Sequence, residues 1–268
     1  GADDWDAASF SMFKWDEYRN SLFYKLYKKI NIKLEQLIVS TASFSVVAGG
    51  QLKRKYKDYK CPTYDTTPRM ILNTNDIRNR DDTCHNTNEI KLITVGGLVK
   101  DKAQHILLRS VRKLKDNSHQ IKLTVVGEGP QSKSLKQEID ELDIKENVKM
   151  MGFIEDQEYL YKLLSSSDIF VLSSINEGFP RVLYEAMAMS LPIVTTRAGG
   201  IEFLLKDKEN ALLTPINNIQ ILTENIEFLI SDKYLRKNMI KNNNQLIKKI
   251  LERSNPNQIS NLISKHIN

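Results

Sequence analysis

Long apolar runs are absent from this sequence of 268 residues, and cysteine is scarce. No run approaches the roughly 18 apolar residues that a membrane-spanning helix needs, and residues 1–30 lack the apolar centre of a signal peptide. Cys61 and Cys84 fit neither a disulfide framework nor a zinc or redox spacing, which predicts two free thiols in a reducing compartment. Hydrophobic residues still make up 41% of the chain, which is enough to bury the core of a soluble globular protein.

Positive charge is in modest excess, with 39 Lys and Arg residues against 33 Asp and Glu residues. Part of the excess lies in Lys53–Lys57 and part in Lys233–Arg253. Such clusters can contact phosphates or anionic lipid headgroups, but lysines at irregular spacing more often form a solvated helix face. No nucleic-acid-binding motif accompanies them, so nucleic acid is not a predicted partner.

The most regular part of the sequence begins at Glu89, where short Val/Ile/Leu-rich runs alternate with stretches of helical periodicity. The predicted strands are Lys91–Val95, Ile121–Val126, Val148–Met151, Ile169–Leu172, Pro192–Thr195 and Ala211–Leu213. The predicted helices between them are Lys102–Lys115, Ser132–Leu142, Gln157–Leu164 and Arg181–Met189. This alternation predicts an α/β fold with a doubly wound parallel sheet, whose ligand should bind at the C-terminal ends of the strands.

The flanking segments are less regular. Before the sheet we expect an amphipathic helix over Phe13–Ile38, a strand at Ser45–Ala48 and a basic helix ending near Tyr59. A loop over Cys61–Pro68, a strand at Arg69–Leu72 and a polar linker complete this part. After the sheet, three further helices are predicted over Ile219–Ile230, Tyr234–Leu251 and Pro256–Ile267.

Two glutamates lie on either side of the helix N-terminus that is predicted after the fourth strand. Glu177 precedes Gly178 and Pro180, and Pro180 suits the first turn of a helix that carries Glu185. The two carboxylates then span at most about 12 Å, which matches the reach of a nucleotide diphosphate sugar. Carboxylates accept hydrogen bonds from vicinal hydroxyls, while the helix N-terminus faces the diphosphate. Two ordinary surface acids would leave Gly178 and Pro180 between them unexplained.

Glycines follow two of the other strands. Gly96 and Gly97 come after the first strand, with Lys102 five residues further on, and Gly127 and Gly129 come after the second. Glycines let a ligand approach the backbone, and an ammonium near a helix N-terminus favours phosphate. Ordinary strand-to-helix turns remain the alternative for both segments.

These residues carry a family resemblance. The segment Glu177–Ala188 resembles the E-x7-E signature of retaining glycosyltransferases of the GT-B fold, the large family 4 group that uses nucleotide sugars. The supporting stretches follow in order and are Val95–Lys102, Val126–Pro130, Met151–Phe153, Ser167–Ser174 and Leu191–Glu202. The similarity covers residues 89–250.

The resemblance implies a role for each matching residue. Glu185 would hold the ribose hydroxyls, and Lys102 the donor diphosphate. Glu177 would contact the transferred sugar, helped by the backbone amides of Gly178 and Phe179, so that Glu177 and Lys102 are the predicted catalytic residues. The remaining donor-binding residues that it implies are Gly97, Gly127, Gly129, Phe153 beside the base, and Pro180. The family often has Arg in place of Gly97 and Gly in place of Ala103, and losing that Arg removes one cation from the diphosphate.

The resemblance also implies a domain organisation. Residues 1–75 would be the closing part of an incomplete N-terminal, acceptor-binding Rossmann-like domain, residues 76–88 a linker, and residues 89–253 the complete nucleotide-sugar-binding domain. Residues 254–268 would form a helix that crosses back to the N-terminal domain. Because the chain starts at Gly1 without Met, we expect an N-terminally truncated protein. None of its four histidines (His85, His105, His119 and His266) stands where the family commonly places one near the sugar.

The function implied is transfer of a sugar from a nucleotide diphosphate sugar to a glycan or lipid-linked acceptor, with retention of configuration. We expect no cofactor and no metal, since Asp4-Trp5-Asp6 spells a D-x-D pattern without the buried strand that should precede it. The alternative is a catalytically silent sugar-nucleotide-binding fragment or subunit, and an epimerase of the same fold fits the E-x7-E segment less well. A cytoplasmic location is expected. A further hypothesis, peripheral contact with the inner membrane face, rests on Lys53–Lys60 and on the aromatic residues of Phe10–Tyr27.

Overall fold

A computed structural model describes residues 22–48, 56–57, 59, 61–66, 72–84, 89–178, 180–253 and 258–267. The chain divides into two units, one formed by residues up to Arg69 together with Arg253–Asn268 and the other by Met70–Glu252. Each unit is described by itself below.

The smaller unit contains a long helix, α1 (Leu22–Thr41), and two parallel strands, β1 (Ser45–Ala48) and β2 (Thr63–Thr66). The C-terminal helix Gln258–Ile267 belongs to the same unit, where the His266 ring stacks on Phe44 at 5.1 Å. The Tyr64 hydroxyl lies 2.8 Å from Nε2 of His266. The domain boundaries expected from the sequence stay a prediction.

The prediction of a loop over Cys61–Pro68 was wrong for its central part, because β2 pairs with β1 there. Thr63, Tyr64 and Thr66 are β-branched or aromatic, and such residues favour extended backbone once a partner strand is available. The Oγ atoms of Ser45 and Thr63 lie 2.8 Å apart across this pair. The segment 49–55 of the expected basic helix and residues 69–71 of the expected strand lie outside the described residues, and Leu72 is not in a strand.

The larger unit is built on a six-stranded sheet in which every neighbouring pair is parallel, in the order β5-β4-β3-β6-β7-β8. The strands are β3 (Glu89–Val95), β4 (Gln120–Val126), β5 (Val148–Gly152), β6 (Ile169–Leu172), β7 (Ile193–Thr196) and β8 (Leu212–Thr214). The order reverses between β3 and β6, and in such sheets ligands bind beside that switch point, at the C-terminal strand ends.

Helices cover both faces of this sheet. They are α2 (Gln104–Asp116), α3 (Ser132–Glu141), α4 (Gln157–Ser165), α5 (Arg181–Ala188), α6 (Ile201–Leu204), α7 (Ile219–Ser231) and α8 (Lys233–Arg253). Successive strand residues point to opposite faces, so that Leu92 packs in the core with α2 and α7 while the neighbouring Ile93 packs in the core with α4 and α5. Strand β6 is apolar and buried along its whole length, while β3 and β4 are rich in Val, Ile and Leu and expose Lys91 and Lys122. This composition made the central strands predictable from the sequence.

The parallel α/β fold expected from the sequence is therefore confirmed, and most strand and helix bounds agree within two residues. The short helix α6 was not predicted. Helix α8 places Lys233, Lys237, Lys241 and Lys248 in solvent, as expected for a solvated helix face. Both Cys61 and Cys84 are free thiols, and burial raises the pKa of Cys84 to about 11.

A buried ion pair holds the segment before the sheet against α8. Asp82 accepts two hydrogen bonds from the Arg236 guanidinium, at 2.7 Å from Nε and 3.0 Å from Nη2, and both side chains are 4% exposed. The remaining Arg236 nitrogen, Nη1, donates to the carbonyls of Leu229 and Ile230. A bidentate pair at this depth leaves little of either charge unpaired.

We expect Asp82→Asn to lower the free energy of unfolding by about 3–5 kcal/mol, because it leaves the buried guanidinium without its counter-ion. Urea denaturation of the variant measures the loss. The matched control is Asp116→Asn, whose partner Arg112 is 37% exposed and whose own side chain is 53% exposed. That surface pair should contribute less than about 1 kcal/mol. Equal losses in the two variants would contradict the role assigned to burial.

Candidate active site

The loops after β3 and β4 are packed backbone against backbone. A Cβ on Gly127 would lie 2.0 Å from the carbonyl oxygen of Gly96, and a Cβ on Gly129 would lie 2.5 Å from that of Leu98. The amide of Leu98 donates to the carbonyl of Glu128 at 2.8 Å. Gly127 and Gly129 are therefore required for the contact between the two loops, whatever else they bind.

Lys102 stands in a short 3₁₀ turn, Lys100–Lys102, and α2 begins only at Gln104. The prediction that Lys102 starts the helix was wrong by two residues, because Ala103 has a left-handed backbone (φ 44°, ψ 40°) that separates the turn from α2. This conformation suits glycine, which fits the family's frequent Gly at this position. The buried Ser173 hydroxyl lies 3.1 Å from the Lys102 carbonyl and 3.0 Å from that of Ala103, and it fixes the turn at the end of β6.

The Glu177 carboxylate meets Lys102 directly. The ammonium Nζ of Lys102 donates to Oε1 of Glu177 at 2.6 Å, and the hydroxyl of Ser174 donates to the same oxygen at 2.5 Å. The Glu177 side chain is 5% exposed, whereas that of Lys102 is 26% exposed. Glu177 is thus not one of two ordinary surface acids.

The loop after β7 packs against the backbone of Glu177 and Gly178. The amide of Gly200 donates to the Glu177 carbonyl at 2.9 Å. Gly199 has φ +51°, and a Cβ there would lie 2.1 Å from that same carbonyl oxygen. A Cβ on Gly200 would lie 2.1 Å from the carbonyl oxygen of Gly178. Only a Gly-Gly pair lets this loop approach the backbone that carries Glu177.

Helix α5 follows the loop after β6 and carries the second glutamate, Glu185. Pro180 is buried and extended (φ −73°, ψ 95°), immediately before the first helical residue Arg181. Proline therefore stands just outside the helix rather than inside its first turn. Gly178 is exposed beside it, and Phe179 lies outside the described residues.

Glu185 is half-buried on α5, facing α4. The amide Nε2 of Gln157 lies 3.5 Å from Oε1 of Glu185. Burial raises the pKa of the Glu185 carboxyl above its ordinary value, and the Gln157 amide and the Arg181 charge oppose this shift. Burial and the nearby Glu185 charge raise the pKa of Tyr161 to about 12. Glu185 is therefore a half-buried carboxylate with the Gln157 amide at the limit of hydrogen-bond distance, and its role at the ribose stays a prediction.

Phe153 and Gly97 are the two remaining predicted residues. Phe153 follows β5 and is 69% exposed, which leaves its ring available for stacking. Gly97 is exposed, and its carbonyl accepts a 3.0 Å hydrogen bond from the buried side chain of Gln104. Both lie in loops at the C-terminal ends of their strands, as the sequence predicted.

Sequence reasoning missed three polar residues of this region, which are Ser174, Gln157 and Ser173. Ser173 and Ser174 lie in a segment that carried the resemblance, but a serine gives no signal of its own. Among the described residues, no three His, Cys, Asp or Glu side chains come together in a way that would hold a metal ion. Asp4-Trp5-Asp6 lies outside that part of the chain.

Comparisons with known proteins bear on the same segment. Residues 75–246 match the family model described as Glycosyl transferases group 1, which is more than half of the chain. A named N-acetylgalactosaminyltransferase of Campylobacter jejuni, whose name gives a diphospho-undecaprenol-linked acceptor, is 32% identical over 147 residues. The alignment covers 54% of this chain and 39% of that protein.

Amylovoran biosynthesis glycosyltransferase AmsK of Erwinia amylovora is 31% identical over 139 residues, covering 50% of this chain and 34% of that protein. The chain thus spans less than half the length of these curated relatives. The crystal structure of HepE from Anabaena in complex with UDP-glucose superimposes with a TM-score of 0.72 at 21% identity, covering 88% of this chain and 68% of that chain. This likeness confirms the GT-B type of the parallel α/β fold.

We expect Gly127→Ala to lower the free energy of unfolding by about 2 kcal/mol or more, since its φ of +134° and the Gly96 carbonyl both oppose a side chain. The matched control is Gly97→Ala, where the nearest atom to an added Cβ is 3.9 Å away and the loss should stay within about 0.5 kcal/mol. Chemical denaturation of both variants measures the two losses in the free energy of unfolding. A loss for Gly127→Ala as small as that for Gly97→Ala would refute the close packing of the two loops.

Proposed function

This chain belongs to the Glycosyl transferases group 1 family, and we propose that it binds a nucleotide diphosphate sugar and transfers the sugar, with retention of configuration, to a glycan or lipid-linked acceptor. The observation that carries the proposal is the pairing of Lys102 with the buried Glu177 at the C-terminal strand ends. The names of the relatives support an acceptor in polysaccharide or cell-envelope glycan biosynthesis.

The donor would lie along the N-terminal end of α5. Glu185 would accept hydrogen bonds from the ribose hydroxyls, because a half-buried carboxylate with a single distant amide neighbour has acceptor capacity to spare. Lys102 and the α5 N-terminus would meet the diphosphate. Phe153 would border the base and Glu177 the transferred sugar.

In the transfer step, the bond between the sugar and the diphosphate breaks while an acceptor hydroxyl attacks the same face of the sugar. The leaving phosphate oxygen takes the electron pair of the broken bond, so that negative charge builds up there, and the same oxygen accepts the proton that the attacking hydroxyl releases. An ammonium placed beside this oxygen stabilises the transition state more than the ground state. We assign this role to Lys102 and propose that no divalent ion takes part. Transfer that persists undiminished in excess EDTA is the expected result.

We expect Lys102→Ala and Glu185→Ala each to weaken nucleoside diphosphate binding at least about tenfold, a loss of about 1.4 kcal/mol, since each removes a direct contact. Calorimetry with UDP, GDP and ADP in parallel measures the dissociation constant of each variant and identifies the base that the site prefers. Lys100→Ala is the matched control, because Lys100 is exposed in the same turn. Unchanged binding in both site variants would defeat the proposal, and binding without turnover of the corresponding sugar nucleotide would favour a silent binding subunit.

Peripheral contact with the cytoplasmic membrane face is a second part of the proposal, and α1 supports it. The helix exposes a stripe of apolar residues at 49–84% of their surface, which are Leu22, Leu26, Ile30, Leu34, Leu37 and Ile38. Lys25, Lys29 and Lys33 are exposed along one side of this stripe. Such a helix suits the interface of an anionic membrane. None of the described helices is both long and apolar enough to cross a bilayer.

We expect the chain to co-sediment with vesicles that contain phosphatidylglycerol and the double variant Leu26→Glu/Ile30→Glu to lose this binding, because it places charge in the apolar stripe. Tyr234→Glu is the control, since Tyr234 is 76% exposed in the larger unit. Binding that does not depend on anionic lipid, or that survives the double variant, would count against membrane contact through α1.

A further inference from the structure

One oxygen of Glu177 accepts two hydrogen bonds, and one of the two donors is the ammonium that the proposed function places at the diphosphate. Oε1 accepts from Nζ of Lys102 at 2.6 Å and from the hydroxyl of Ser174 at 2.5 Å. The ammonium that the proposed function assigns to the diphosphate is thus already engaged by the carboxylate that it assigns to the sugar. The diphosphate and the carboxylate are both anions, so a bound donor would compete with Glu177 for the charge of this one ammonium, whose three N–H groups can reach more than one acceptor.

Lys102 is the more exposed partner of the pair. Its side chain is 26% exposed, whereas that of Glu177 is 5% exposed and its backbone is held by Gly200. The Lys102 chain passes over Gly96, whose absent Cβ would lie 3.9 Å from Cε. A lysine also loses less by moving than a buried carboxylate does, because water or phosphate can solvate its ammonium.

A buried carboxylate that loses its counter-ion is costly unless other donors take over. Ser174 is fully buried and donates a second hydrogen bond, of 2.5 Å, to the same Oε1. Its position is fixed in turn, because its carbonyl accepts a hydrogen bond from the hydroxyl of Thr196 on β7. Hydroxyl groups of a bound sugar would supply the donors that Lys102 withdraws.

We propose that Lys102 exchanges partners on donor binding, leaving the Glu177 carboxylate for the diphosphate, and that Ser174 is the positioning residue that keeps Glu177 in place after the exchange. The inference rests on the proposed function, since it needs a diphosphate at Lys102. Breaking the contact between Lys102 and Glu177 makes binding of the nucleotide alone less favourable. The hydroxyls of the sugar offset this loss by donating hydrogen bonds to Glu177. A nucleoside diphosphate should therefore bind less well than its sugar conjugate in the wild type.

The first test is calorimetry of E177Q with the nucleoside diphosphate that the wild type binds. The substitution removes the competing charge and keeps the side-chain shape, so we expect about three- to tenfold tighter binding of the nucleoside diphosphate, or up to about 1.4 kcal/mol. The corresponding sugar nucleotide should lose its affinity advantage. The control is E202Q, which removes one charge from a surface ion pair with Arg197 in the loop after β7 and should change neither affinity. Thermal unfolding checks that each variant is folded.

The second test is a double-mutant cycle with Ser174→Ala. In the wild-type background this substitution should weaken sugar-nucleotide binding about threefold or more, because Glu177 loses the bond that holds it after the exchange. In the E177Q background it should cost much less, since no carboxylate needs to be held. A merely structural serine would cost the same in both backgrounds, and that result would overturn the role of Ser174.

The outcomes separate this inference from the proposed function. Equal or weaker nucleoside diphosphate binding by E177Q, with binding still lost in Lys102→Ala, would overturn the exchange and leave the proposed function standing. No binding of any nucleoside diphosphate by the wild type would overturn both.

Discussion

The arrangement of this site depends on the burial of one carboxylate, that of Glu177. A carboxylate that is 5% exposed must have hydrogen-bond donors and a counter-ion close to it, and here Ser174 and Lys102 supply them. These partners come from the loops that follow β6 and β3. After β7, Gly199 and Gly200 pack against the backbone carbonyls of Glu177 and Gly178. The carboxylate of Glu177 therefore joins the loops after β6 and β3, and the loop after β7 is bound to the backbone of the same residue.

The parallel sheet makes this convergence possible. Because all six strands run the same way, the loops that follow them meet at one edge, on both sides of the switch between β3 and β6. Glycines let these loops touch backbone to backbone, as Gly127 does with Gly96. Glu177 lies in the loop before α5, and the half-buried Glu185 lies within that helix. Under the proposed function, this edge would bind the diphosphate at Lys102, with the two carboxylates accepting hydrogen bonds from the sugar and the ribose.

The sequence was sufficient to predict the sheet of the larger unit and to place Glu177 and Lys102 after strand ends, while the roles of the site residues stay predictions. Strands β3, β4 and β6 are rich in Val, Ile and Leu, which marks them in the sequence. A glutamate next to Gly178 and Pro180 at a strand end is an unusual combination. Strand β2 was missed because Thr63–Thr66 becomes a strand only by pairing with β1. The contact between Lys102 and Glu177 joins residues 75 positions apart and could not be read from spacing. Ser174 and Gln157 were missed because their roles depend entirely on what the fold brings beside them.

The central claim is that a nucleotide diphosphate sugar binds at these strand ends, with Lys102 at the diphosphate and Glu185 at the ribose. A crystal structure of this chain with a bound nucleoside diphosphate tests it most directly. The account predicts phosphate oxygens within hydrogen-bond distance of the Lys102 ammonium and ribose hydroxyls within hydrogen-bond distance of the Glu185 carboxylate. A nucleotide bound elsewhere on the chain, or bound here in the reverse direction with its phosphates at Glu185, would contradict it.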